Sequence, residues 1–156
     1  MELKSPKLEQ AKEPKLEWRE YSLDALRYEI GEIERVVETV LGISRTDPTF
    51  QTTVQAISEK VFYGKLNDLS DTDWARLENT DSWSELSVGD FEKLDELVKI
   101  HGQTMDHIMQ TITAGKKLAA PIIFRHDGKL HLVSGNKRLM LARVYDNRPK
   151  AIFIEE

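Results

Sequence analysis

The chain is expected to adopt an α+β fold, with a helical N-terminal portion followed by a small mixed sheet. Three observations predict it. Apolar residues recur at helical spacing in several separate runs between Leu23 and Ile112. After Gly115 the pattern changes to short apolar runs rich in Ile, Val and Phe, each bounded by turn residues. The last two of these runs are separated by one helical stretch, 137–145, that is apolar on most sides and should be well covered.

The elements follow in order. Pro6 and Pro14 interrupt any helix in the polar first 20 residues, which read as a flexible arm with Leu16 and Trp18 docking at its end. Ser22 can cap one continuous helix to about Leu41, carrying Leu26, Ile30, Ile33 and Val37 on one face, with Gly42 as its stop. Thr46-Asp47-Pro48 opens a second helix bearing Phe50, Val54, Ile57 and Val61. Ser70 and Asp73 have the spacing of a capping box for a short helix with Trp74 and Leu77. Ser87 begins the next unit, in which Phe91, Leu94, Leu97 and Val98 mark a helix. Thr104 caps another, ending at Gly115. Strand 122–125, the turn His126-Asp127-Gly128 and strand 129–134 form a hairpin, and a final strand spans 150–154. The expected organisation is an arm at 1–20, a helical region at 21–86 and a mixed-sheet domain at 87–156.

Composition narrows the function classes. The 156 residues contain no cysteine, which excludes disulfides, thiol catalysis and Cys-ligated zinc. No apolar run approaches the ~20 residues of a membrane span, and the N-terminus is not a secretory signal, so no membrane partner and a cytoplasmic location are expected. None of the four histidines shows metal-ligand spacing on a helix, so no metal site is read from the side chains alone. The net charge of −5 conceals an asymmetry: from Gly115 onward nine Lys/Arg face four Asp/Glu, whereas residues 1–114 hold 13 Lys/Arg and 23 Asp/Glu. A basic C-terminal unit suits an anionic ligand.

The chemistry concentrates at Ser134-Gly135-Asn136-Lys137-Arg138. Gly135 allows a sharp turn between strand and helix. Asn136 is a good helix cap. Lys137 and Arg138 then fall in the first helical turn, where the helix dipole disfavours cations. Two cations there make sense around an anion held by free N–H groups and both side chains. Arg138 is expected to face solvent or this ligand. Lys116, Lys117 and Arg125, near the ends of the strand entering the turn, could complete a phosphate cradle. Arg143 lies about 140° around the helix from Arg138 and should point elsewhere. No histidine is placed in sequence to activate Ser134, so no nucleophile is read.

Pro121-Ile122-Ile123, the hairpin, the Ser134-Gly135-Asn136-Lys137-Arg138-Leu139 turn, Ala142-Arg143 and the closing strand resemble the ParB/sulfiredoxin fold over about the last 70 residues. That resemblance implies a glycine turn and arginine binding a nucleotide phosphate at Gly135, Asn136, Lys137 and Arg138. It makes a nucleoside triphosphate with magnesium the candidate cofactor and suggests a plasmid or phage context. The lack of cysteine excludes the sulfiredoxin repair chemistry. Asn136 stands where partition proteins resemble G-E-R-R, and an amide cannot act as a base at neutral pH, so slow or absent turnover is expected. No helix–turn–helix follows, so nucleic acid is a secondary partner. One alternative is a catalytically inactive interaction or self-association module using the acidic helices, with Trp18, Trp74 and Trp83 as a partner face. Another is a nuclease or phosphotransferase, for which Asp127, Asp146 and Glu155 are the carboxylates nearest the turn in sequence.

Overall fold

The computed structural model describes residues 15–77 and 90–155. Its architecture is α+β. In chain order the elements are β1 (Trp18–Arg19), α1 (Leu23–Arg27), α2 (Ile30–Thr39), α3 (Phe50–Phe62), β2 (Leu66–Asp68), α4 (Asp71–Arg76), α5 (Phe91–Ile100), α6 (Asp106–Thr113), β3 (Leu118–Ala119), β4 (Ile122–His126), β5 (Lys129–Ser134), α7 (Asn136–Val144) and β6 (Lys150–Glu155). Ser87 and Trp83, expected to start a unit and to fold onto the body, lie outside the described residues.

The central sheet has strand order β2-β6-β4-β5. β4 and β5 form an antiparallel hairpin, β4 and β6 run parallel, and β2 pairs antiparallel with β6. Asp127 (φ 52°) and Gly128 (φ 73°) both take left-handed backbone, as a two-residue hairpin turn twisted like its strands requires.

Alternation along the strands gives the sheet two apolar faces. Ile122, Phe124, Val133, Ile152 and Ile154 join the larger core with Ile33, Val36 and Val37 of α2 and Phe50, Val54, Ile57 and Val61 of α3. Ile123, Leu132 and Ala151 turn the other way and meet Leu69, Leu77 and Leu139. α7 serves both faces, with Leu139 in the smaller cluster and Met140, Leu141 and Ala142 in the larger. All four are fully buried, as the apolar run predicts. Leu139, Met140 and Leu141 each contribute about 1.5–3 kcal/mol, so the position of α7 is fixed by packing rather than by helix propensity.

Several local expectations hold. The Ser70 and Ser22 hydroxyls accept from the amides of Asp73 and Ala25 and cap their helices. Leu16 and Trp18 are buried, and β1 pairs in parallel with β3 through Trp18 and Leu118.

Other expectations are corrected. The single helix from Ser22 is two, separated at Tyr28 and Glu29, whose amides bond back three residues to the carbonyls of Ala25 and Leu26. Neither break residue is Gly or Pro, although Gly31 follows in the first turn of α2. Residues 66–68, left between two helices of the region 21–86, are an edge strand. Asn67 and Asp68 are poor strand formers, and it is pairing with β6 that holds them extended. Gly135, not Asn136, is the cap position of α7, and Asn136 is its first residue. Trp18 lies in the core and Trp74 packs beneath the Arg143 guanidinium, 4.8 Å from its ring centre, so neither belongs to an exposed partner face.

The charge asymmetry is largely consumed inside the molecule. Segment 66–77 lies against the sheet with Asp68 paired to Lys150, Asp71 to Arg148 and Asp73 to Arg125. The guanidiniums of Arg148 and Arg143 donate to the carbonyls of Leu69 and Leu77. Arg125, read as part of a phosphate cradle, is thus one of the clamps of an acidic strap.

Candidate functional site

Strand β5 ends at Ser134, and the chain reverses into α7 through Gly135 at φ 116°. A side chain here would be strained by that backbone. Its Cβ would also come within 3.3 Å of the Pro121 Cα and 3.5 Å of Arg138 Nη2. The glycine therefore lets the turn lie directly on Pro121 at the entrance to β4. The N-terminal end of α7 borders the space beyond the turn.

That space is a cleft of about 310 Å³. Ser134, Gly135, Asn136, Lys137 and Arg138 line it together with Tyr28, Glu29, Glu32 and Arg35 from the α1–α2 region, and Gln103 and Ile108. The break between α1 and α2 turns Glu29 into it. Arg35 anchors that region: it pairs with Glu32 at 2.9 Å and donates to the carbonyls of Leu132 and Val133, both at 3.2 Å.

Of the anion-site residues expected from sequence, four meet here: Gly135, Asn136, Lys137 and Arg138. The others do not. Arg125 is at the far end of β4, between Asp73 and Glu155 and over the Phe153 ring. Lys116 and Lys117 are exposed and do not line the cleft. Arg143 points to the strap, in keeping with its helical angle. Asp127, Asp146 and Glu155 do not line the cleft either.

Arg138 corrects a further expectation. Its side chain is only 13% exposed, and it turns inward rather than toward solvent. Nη1 donates to the Ala119 carbonyl at 2.5 Å and to the Tyr21 hydroxyl at 3.2 Å, and Nη2 donates to Ser134 Oγ at 3.3 Å. Tyr21 in turn donates to the Ala120 carbonyl at 2.6 Å. Burial raises the Tyr21 phenol above its ordinary value, against the opposing pull of the Arg138 charge.

Lys137 behaves differently. Its Nζ donates to the Thr104 carbonyl at 2.9 Å, and no carboxylate among the described residues pairs with it. Desolvation, and then the neighbouring Arg138 charge, pull its ammonium below the ordinary lysine range. A cation held in this way is stabilised by any anion that reaches it.

Sequence reasoning missed Glu29. It accepts a hydrogen bond from the Ser134 hydroxyl across 105 residues and stands 4.0 Å from Arg138. Only the spatial return of α2 onto β5 reveals it. Together Glu29 and Glu32 supply the carboxylates that the turn lacks. Among the described residues no three metal-ligating side chains gather.

No helix among the described residues is long and apolar enough to cross a membrane. Comparison of the chain with protein-family models, curated proteins and solved structures found no match.

Proposed function

We propose that the chain binds a phosphorylated small molecule in the cleft at the glycine turn, with a nucleoside triphosphate and magnesium as the leading candidate. The observation that carries this reading is Lys137, a half-buried ammonium with a neutral carbonyl as its partner, at the mouth of a helix N-terminus. A phosphate there would lie at the positive end of the α7 dipole and gain a charge-assisted bond from Lys137. Glu29 and Glu32 oppose a bare polyanion, and a magnesium ion carried by the phosphates and held at Glu32 would offset that repulsion. The ParB/sulfiredoxin-like order of strand, hairpin, glycine turn and helix supports the same ligand class.

The test is a thermal-shift panel of nucleoside triphosphates with and without magnesium. A ligand at 100 times its Kd adds about 2.7 kcal/mol. For a chain of this size that is roughly a 5–10 °C rise. Lys137→Met should abolish the rise while leaving the unliganded melting temperature close to wild type. If no triphosphate shifts the protein, or the variant responds as wild type does, the cleft is not a phosphate site.

A further inference from the structure

Ser134 and Glu29 form a pair that simple ligand binding does not require. Ser134 is the one polar residue buried among the described residues, with 6% of its surface exposed, and it lines the cleft. Its hydroxyl donates to the Glu29 carboxylate, while Arg138 Nη2 donates to the same oxygen at 3.3 Å. The hydroxyl proton thus faces a base, and its oxygen faces a fixed cation that stabilises developing negative charge. Ser134 also closes a strand immediately before a tight turn and a helix, so it stands beside the positive end of α7. A nucleophile, a base that touches it and an anion-stabilising wall meet in one cleft.

We propose that Ser134 is a nucleophile activated by Glu29, and that it accepts the terminal phosphoryl group of a nucleoside triphosphate bound in the cleft. This rests on the reading that the cleft binds such a ligand. In the step, Ser134 Oγ attacks the terminal phosphorus and its proton passes to Glu29. The Oγ–P bond forms as the bond from that phosphorus to the bridging oxygen breaks. A nucleoside diphosphate leaves, and Glu29 returns its proton to solvent. The product is phosphoserine at 134, held by Arg138 and Lys137. Self-modification happens once per molecule, so it is compatible with the slow turnover expected from Asn136.

The full chain is incubated with magnesium and with ATP, GTP, CTP or UTP labelled in the terminal phosphate, then digested and mapped by mass spectrometry. Binding of the corresponding non-hydrolysable analogues is measured alongside by calorimetry. The expected result is label on Ser134 in wild type and none on Ser134→Ala. Glu29→Gln should label roughly 100-fold more slowly or worse, the usual contribution of a general base. Its amide oxygen still accepts the Ser134 hydrogen bond, so the variant should fold and bind the analogue. Analogue binding without label on Ser134 overturns this proposal alone. So does undiminished labelling of Glu29→Gln, or a hydroxylamine-sensitive label that marks Glu29 itself as the acceptor. Failure of wild type to bind any analogue overturns the binding reading and this proposal together.

Discussion

Arg138 Nη1 and the Tyr21 hydroxyl lie 3.2 Å apart, although 117 residues separate them in the chain. Through this contact and the Ala119 and Ala120 carbonyls, a residue of the glycine-turn helix ties β3 to the segment that follows β1. The turn is therefore both a candidate binding site and a structural joint.

Arg138→Ala should destabilise the fold rather than spare it. The substitution leaves the Ala119 carbonyl without this donor and removes the cation beside Glu29. A loss of about 3 kcal/mol is expected for a guanidinium this well buried. That is on the order of 10 °C in melting temperature for a chain of this length. A melt within about 2 °C of wild type would show that the network is not structural.

Tyr21 should make the protein sensitive to alkali. Its folded pKa lies above the ordinary 10.0, so the phenol's contribution is fully present below pH 10. It is lost as the pH rises from 10 through the folded value, because the unfolded chain releases the proton first. Tyr21→Phe should remove this dependence and cost about 1 kcal/mol at neutral pH through the lost bond to Ala120. Parallel denaturant titrations of both proteins between neutral and strongly alkaline pH would reveal it. Equal slopes of stability against pH would count against the assignment.

Gly135→Val should be more harmful than a valine at an ordinary surface turn. It combines a left-handed backbone, worth about 1–2 kcal/mol of strain, with a Cβ pressed on Pro121. Loss of ligand response together with a lowered melting temperature is expected. A variant that melts and binds like wild type would mean that α7 can start without this turn.

Asp146 offers a stabilising change. It follows α7 at φ 50°, and the amides of Asp146 and Asn147 bond back to the carbonyls of Arg143 and Ala142. This is the paired closure at a helix end that glycine serves best. Asp146→Gly should gain up to about 1 kcal/mol, visible as a melting temperature a few degrees higher, without effect on the cleft. A lower melting temperature would show that the aspartate makes an offsetting contribution of its own.

The sequence by itself determined whatever depends on near neighbours along the chain. Helical spacing located α3, α5 and α6, and the serine caps marked the starts of α1 and α4. Asp127-Gly128 specified the hairpin turn, and Gly135 the left-handed junction into a buried helix. These follow from backbone sterics and period, which are local. The tertiary structure alone decided what depends on distant partners. The break falls at Tyr28 and Glu29, ahead of Gly31, and it becomes meaningful only because α2 returns onto β5 and brings Glu29 to Ser134. β2 is a strand because β6 offers it hydrogen bonds. The cations also changed their meaning with distance: Arg125 and Arg148 pair with Asp73 and Asp71, Arg138 supports Tyr21 and Ala119, and Lys137 remains the cation turned toward the cleft. Sequence spacing lists the charges. Which of them are already neutralised depends on contacts of a few ångströms between residues 19 to 117 positions apart, and only the folded chain supplies those.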